Sequence, residues 1–455
     1  MATLPQPAPY RPETAILALG PDFYDAVAPA DFPQAKLRFR NDRWAAAVGL
    51  DRLGDAEWIR HFARFEPLPD NMPTPLALRY HGHQFRVYNP DIGDGRGFLF
   101  AQLRDAGGRL LDLGTKGSGQ TPWSRFGDGR LTLKGAIREL LATEMLEALG
   151  TETSKTFSLI ETGEPLERND EPSPTRSAVL VRLQHSHIRI GTFQRLATLG
   201  EADNLRTLTA YCLRHYFGDD SGDPARLLGA VAGATAKLAA SYIAAGFVHG
   251  VLNSDNIAIT GESFDYGPWR WTPFWDGAFT AAYFDHAGLY SFARQPEAIH
   301  WDLVQLALSL RAIAEADALT PRLETFPALF QEALRDALFA RLGIVPRDLS
   351  GDMKLVVAIE EALSKQSVTI DRFFFDWRGG RARASEGFEQ VRALIAGHEA
   401  VPGALDHPYW SDAEPCSMHI EEVEAIWSAI AEADDWAPLN AKIEAVRRMG
   451  AAMSR

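Results

Sequence analysis

The stretch H-G-V-L-N-S-D-N at residues 249–256, a short apolar run, and then D-Y-G at 265–267 decide how this chain is read. A loop of the form H-x-D-x-x-x-x-N, followed after a hairpin by D-F-G, grips nucleotide phosphates through metal ions. Its Asp takes the acceptor's proton, while the Asn and the later Asp hold the metals. Asn256 stands seven residues after His249, as that pattern requires, and Asp265 opens D-Y-G nine residues further on. The position two after the histidine, however, is Val251, which cannot accept a proton. The metal-holding half is present and the usual base is absent. This combination predicts a protein that binds a nucleotide but does not carry out ordinary phosphoryl transfer.

Other residues gather around that loop. Asp255 is its only carboxylate and the natural replacement for the missing base, with a solvated or capping Asp as the plain alternative. His249 suits bracing the loop by hydrogen bonds, and Asn253 suits either role. Asn256 and Asp265 are oxygen ligands of the type Mg²⁺ takes, with phosphates and water completing its shell. Lys116, at the end of an expected strand, precedes Glu139, in the next expected helix, by 139 − 116 = 23 residues. A buried ammonium needs such a carboxylate to stay charged and oriented, and this pairing anchors a phosphate in kinase folds.

G-D-G-R occurs at 93–96 and again at 127–130. Each copy combines a close backbone approach with a carboxylate and a bidentate guanidinium, although for either copy alone a tight turn with a solvated Arg is the leading reading. Arg182 and Arg189, seven apart on otherwise apolar segments, suit an anion or a structural ion pair. T-K-G-S-G-Q-T-P at 115–122 does not fit G-x-x-x-x-G-K-[ST], which disfavours a P-loop ATPase. His185 and His187 form only an H-x-H pair, and W-R-W-T-P-F-W at 269–275 reads as packing or as the rim of a partner site.

The composition narrows the classes. The chain has 455 residues, 46% hydrophobic and 23% charged, which fits a globular protein with a sizeable core. Its net charge of −14 speaks against nucleic acid or an anionic membrane as a partner of the whole surface. No run reads as long enough to span a bilayer, and the start lacks the form of a signal peptide. Two distant cysteines, Cys212 and Cys416, argue against a disulfide framework or a zinc site and for a cytoplasmic location. A monomer is expected.

The expected fold class is α+β, a β-rich lobe preceding a helical one. Residues 1–75 read as an irregular arm carrying a short helix around Asp55–Arg64. Residues 76–200 read as the β-rich, nucleotide-binding lobe, with strands over 98–103 and 109–117 and a helix from Thr132 to Leu149 stopped by Gly150. A strand is expected at Ala178–Leu183. Residues 201–455 read as mainly helical, with two helices over 204–246, a β-rich hairpin arm at Ile257–Thr260, and helices at 300–316, 325–343, 352–366, 384–398 and 420–433.

Together these motifs resemble the selenoprotein O family, kinase-like pseudokinases that AMPylate proteins. The resemblance rests on Y-H-G-H-Q-F (80–85), G-D-G-R (93–96), K-G-S-G-Q-T-P-W-S-R-F-G-D-G-R (116–130), I-R-E-L (137–140), S-H-I-R-I-G-T-F (186–193), G-F-V-H-G-V-L-N-S-D-N (246–256), D-Y-G-P (265–268) and Q-P-E-A-I-H-W-D-L (295–303). These run from about residue 75 to 310; the C-terminal third matches poorly. The resemblance implies a two-lobed, protein-kinase-like fold that binds ATP flipped, exposing its α-phosphate, with Mg²⁺ or Mn²⁺ as cofactor. AMP then goes to Ser, Thr or Tyr hydroxyls of proteins and pyrophosphate leaves. Carried onto this chain, Gly93, Gly95, Arg96, Lys116, Asp128 and Gly129 would contact nucleotide, and Arg182 and Arg189 would clamp the buried phosphate. Glu139 would pair with Lys116, Asn256 and Asp265 would hold metal, and Asp255 would act as base. A kinase of proteins or small molecules and a silent nucleotide-binding scaffold are the rival readings. The C-x-x-U or C-x-x-C end of some members is missing, so their thiol regulation is not expected here.

Overall fold

The computed structural model describes residues 5–169, 171–381 and 386–454. Nine strands form one sheet: β1 (Pro12–Glu13), β2 (Tyr24–Ala26), β3 (Lys36–Arg40), β4 (Leu76–Leu78), β7 (Leu99–Arg104), β8 (Leu110–Lys116), β9 (Leu131–Thr132), β10 (Lys155–Leu166) and β11 (Thr175–Gln184). Between them, β5 (Gly82–Gln84) and β6 (Val87–Asn89) make a separate hairpin. The main order is β2-β4-β7-β8-β11-β10-β3, with β1 on β7 and β9 on β11, all antiparallel.

Alternation along the central strands separates two cores. Val179, Val181 and Leu183 of β11 point to the face that also takes Leu111 and Leu113 of β8. Over that face lie α1 (Asp42–Ala47) and α2 (Asp55–Phe62), which contribute Trp44, Trp58 and Phe62. Phe157 of β10 stacks on Trp58 at 5.0 Å and meets Phe62 edge-on at 5.4 Å. It is fully buried, so Phe157→Ala should cost about 3–5 kcal/mol, read as a lowered denaturant midpoint.

On the opposite face, Ala178 and Leu180 pack under α3 (Leu133–Ala148). Thr132 caps that helix, its hydroxyl accepting from Gly135 N at 3.1 Å. Lys116 shares this face with Leu110 and Asp112, and Arg182 follows Leu180. The register sets Leu180 opposite Lys116 and Arg182 opposite Gly114. Period-two geometry therefore delivers a lysine and an arginine, side by side, beneath the helix that carries Glu139.

The rest is helical: α4 (Ile190–Thr198), α5 (Ala202–Phe217), α6 (Pro224–Ala245), α7 (Gln295–Leu310), α8 (Ala316–Leu323), α9 (Phe326–Leu342), α10 (Leu349–Lys365), α11 (Ile370–Trp377), α12 (Glu389–Ile395), α13 (Ile420–Ala433) and α14 (Ala437–Met453). A third apolar cluster joins α9, α10, α11 and α12. The last helix returns to α3, where Arg447 forks onto Glu144 at 2.7 and 2.8 Å.

Several expectations are corrected. The first 75 residues supply three strands of the main sheet as well as the helix at Asp55–Phe62. Residues 257–260 form no hairpin arm; only Ala258 bridges, to Arg189. The helix expected over 384–398 is seen as Glu389–Ile395, and residues 384–385 lie outside the described residues. Finally, α6 is by length and composition apolar enough to cross a membrane. Two-thirds of its most apolar window is buried among neighbouring helices, which accounts for its Ala-rich sequence.

Candidate active site

A cavity of about 610 Å³ opens where the sheet meets the loop after α6. Gly93, Gly95, Arg96, Lys116, Asp128, Gly129, Arg182, Arg189, Asp255 and Asp265 all line it. Glu139 lies behind Lys116. Asn256 is not among the lining residues; its amide Nδ2 donates to the Val251 carbonyl at 2.9 Å. Val251 does not line the cavity either, so the carboxylate facing it from this loop is Asp255.

Lys116 is the centre of the charge arrangement. Its Nζ lies 2.6 Å from Glu139 Oε2 and 2.7 Å from Asp265 Oδ1, with its side chain only 6% exposed. Arg182 Nη1 stands 3.6 Å from both Glu139 Oε1 and Asp265 Oδ1. Those distances are ion pairs without hydrogen bonds, and Arg182 Nε and Nη1 are buried with no acceptor. Arg189 reaches Asp94 at 3.3 Å and the Asp255 carbonyl at 3.0 Å and lies over Tyr80, yet its Nε also has no acceptor. Buried guanidinium N–H groups facing a cavity without acceptors fit an anion with many oxygens, as a polyphosphate is.

Burial acts to raise the Asp265 carboxyl, but Lys116, Arg182, Arg189 and Arg96 outweigh it and hold it well below the usual carboxylate range. Its backbone sits in the left-handed region, at φ 63°, an uncommon conformation for a residue other than glycine and one that collects at functional sites. Asp255 goes the other way. Burial, opposed by Arg189, pushes it up to about 6, and its Oδ1 is buried without a hydrogen-bond partner.

The hairpin β5–β6 clamps the loop from above. His83 N donates to Ser254 Oγ at 2.7 Å, and Phe85 N donates to Asn253 Oδ1 at 2.9 Å. A Cβ at Gly82 would lie 2.9 Å from Asp255 Oδ1, so this position must stay bare. His249, whose pKa burial lowers, uses Nε2 against the Phe264 carbonyl at 3.0 Å and so ties the loop to the residue before Asp265.

The two G-D-G-R copies differ. In the second, Asp128 pairs with Arg168 at 2.9 Å and Arg130 with Glu164 at 2.7 Å, so its charges are already matched within the chain. In the first, exposed Arg96 makes no ion pair with a described residue. The glycines meet protein rather than open space: a Cβ on Gly93 would come within 2.5 Å of the Trp123 ring. Tyr80, Asp94 and Trp123 were not assigned roles from sequence, although each sits inside a motif already singled out. It is the fold that brings all three to the wall of the cavity.

Among the described residues no group of three or more His, Cys, Asp or Glu side chains is placed to hold a metal. The donors at hand are still of the right kind. Asp265 and the unpartnered Asp255 Oδ1 offer hard oxygens, and with its nitrogen fixed on Val251, Asn256 keeps its oxygen for another partner. One or two such groups with phosphate oxygens and water are what Mg²⁺ takes.

Comparison with known proteins agrees on one family. The model described as "Protein adenylyltransferase SelO" matches residues 9–400. A relative from Synechocystis sp., "Protein nucleotidyltransferase YdiU", is 40% identical over 94% of this chain and 96% of its own length. One of the same description from Gloeobacter violaceus is 41% identical over 96% of this chain and 95% of its own. A third, from Ruegeria sp., is 34% identical over 80% and 77%. The similarity therefore extends well beyond residues 75–310, through most of the C-terminal third.

Proposed function

Since this chain belongs to the SelO family of protein adenylyltransferases, we propose that the cavity around Lys116 and Asp265 is where it transfers AMP from ATP to protein hydroxyls. The observation that carries the assignment is the set of buried guanidinium N–H groups without acceptors on Arg182 and Arg189, beside the Lys116–Glu139 pair. In this reading the sheet with α3 and the helices from α5 onward are the two lobes of a kinase-like fold, with the nucleotide between them.

ATP would lie flipped. Its β- and γ-phosphates go deep, against Lys116, Arg182 and Arg189, and its α-phosphorus faces the cavity mouth. A Ser, Thr or Tyr hydroxyl oxygen then forms a bond to the α-phosphorus, and the bond from that phosphorus to the bridging oxygen of the β-phosphate breaks. The electron pair leaves with pyrophosphate, whose charge the three cations stabilise. Asp255 takes the hydroxyl proton. Asp265 and Asn256 would hold Mg²⁺ or Mn²⁺, which when bound neutralises phosphate charge. Val251 at the usual base position is consistent with this geometry, because the attacked phosphorus is no longer the γ one.

A pH dependence follows from Asp255. Burial raises its pKa, so the base is protonated and idle below about 6 and available above it. The value of kcat/KM should rise with pH through about 6. Asp255→Asn should remove that inflection and lower the rate about 10²–10⁴-fold; an unchanged profile would assign the base elsewhere.

Intact-mass analysis of a protein substrate after incubation with ATP and metal tests the function itself. The expected adduct has the mass of AMP. A phosphate-sized adduct alone would establish a kinase, and no adduct with an ATP-raised melting temperature would establish a silent scaffold.

A further inference from the structure

A second cavity, of about 270 Å³, lies away from the first, between α1, the end of α3, the β7–β8 turn and the loop leading to Asp265. Four carboxylates line it, from Asp105, Glu147, Glu152 and Glu262, against two cations, Arg109 and Lys155. The cations are matched within the protein. Arg109 Nε donates to Asp105 at 2.8 Å. Lys155 donates to the Thr153 carbonyl at 2.5 Å and lies over the Trp44 ring at 5.2 Å. Its charge acts on Glu147, which Lys155 and Arg43 hold below the ordinary range against the effect of burial.

The acceptors are not matched. Gln184 lines the cavity, is 1% exposed, and keeps Oε1 without a hydrogen-bond partner. Thr151 Oγ1 has none either. Glu262, 9% exposed, accepts one backbone N–H, from His185 at 2.6 Å, and no described side-chain cation lies within ion-pair distance of it. Burial, opposed in part by the more distant charges of Lys155 and Arg109, pushes its carboxyl up to about 7. Buried acceptors left over on an acidic wall suit a donor that carries positive charge.

We propose that this cavity binds a small organic ammonium ion, held by Glu262, Gln184 and Thr151 within reach of the Trp44 wall. Diamine size fits the volume, which lies just under the usual range for small-molecule sites. The site touches the nucleotide cavity through shared elements: Gln184 stands two residues after Arg182 on β11, and Glu262 three residues before Asp265. It is not part of the catalytic arrangement, and its failure would leave the adenylyltransferase assignment standing.

Titration calorimetry of the full chain with putrescine, and with succinate as a size-matched dianion, tests the proposal. Putrescine should bind at one site and succinate should not. Glu262→Gln and Gln184→Leu, each checked for an intact melting transition, should each weaken binding about ten-fold or more. Around Glu262 stand Lys155 on β10, Arg109 in the β7–β8 turn, Glu152 before β10, and His185, which burial holds neutral at about 4. With Glu262 ionising near 7, putrescine should bind about ten-fold more tightly at pH 8 than at pH 6. Absence of putrescine binding would mean a water-filled cavity only. Equal binding by both variants would mean loose attraction to an acidic surface, and preference for succinate would reverse the charge argument. Each of these overturns the proposal.

Discussion

Lys116→Met should lower AMP transfer by about three orders of magnitude, the scale of removing one preorganised charge from developing phosphate charge. The cause is local. Among the described residues, Lys116 is the only cation that touches both Glu139 and Asp265 at hydrogen-bond distance. Without it, the phosphates would face two carboxylates offset only by the more distant Arg182 and Arg189. The same change should also destabilise the fold, because Glu139 is 1% exposed and breaking a buried pair from one side costs about 3–5 kcal/mol. Arg182, 3.6 Å from Glu139 Oε1, offsets part of that. The two effects separate in the double variant Lys116→Met/Glu139→Leu, which removes both charges. Its melting temperature should recover towards the parent while transfer stays lost. Recovered transfer in the double variant would show that Lys116 serves stability rather than chemistry.

Asp265→Asn should have a comparable effect on transfer, with less cost to the fold. The substitution keeps the shape and removes the charge that Lys116, Arg182 and Arg189 hold ionised. Transfer should fall about 10²–10³-fold, and the metal dependence of nucleotide binding should disappear with it. Because three cations would then face the cavity with one carboxylate fewer, metal-free ATP should bind at least as tightly as to the parent. Titration of ATP with and without Mg²⁺ reads this directly. A variant that still gains affinity on adding Mg²⁺ would place the metal on other residues.

The site was legible where chemistry and spacing coincide. Lys116, Glu139 and Asp265 were each expected from motif spacing, and the structure brings them within hydrogen-bond reach. Arg182 and Arg189 were expected as inward cations, and they are. The second G-D-G-R copy looked equivalent to the first because a sequence does not show that Arg168 and Glu164 already match its charges. Asn256 matched the pattern, but which way an amide turns depends on the Val251 carbonyl beside it.

The fold was legible where periodicity is strong. The helix at Leu133–Ala148 and the strands Leu99–Arg104 and Leu110–Lys116 have clean apolar patterns. Strand β10 was not anticipated: its run K-T-F-S-L-I-E-T-G-E-P-L mixes Glu, Gly and Pro, and its pairing with β11 shifts register twice. The strands of the first 75 residues are two to five residues long and pair with partners far along the chain, leaving no local signature.

The central claim is that in this site the acceptor hydroxyl attacks the α- rather than the γ-phosphorus of ATP. Incubating the protein and a protein substrate with ATP labelled at one phosphorus or the other measures that directly. The account predicts label on protein from α-labelled ATP alone, with the γ-label recovered in pyrophosphate; label on protein from γ-labelled ATP alone would contradict it.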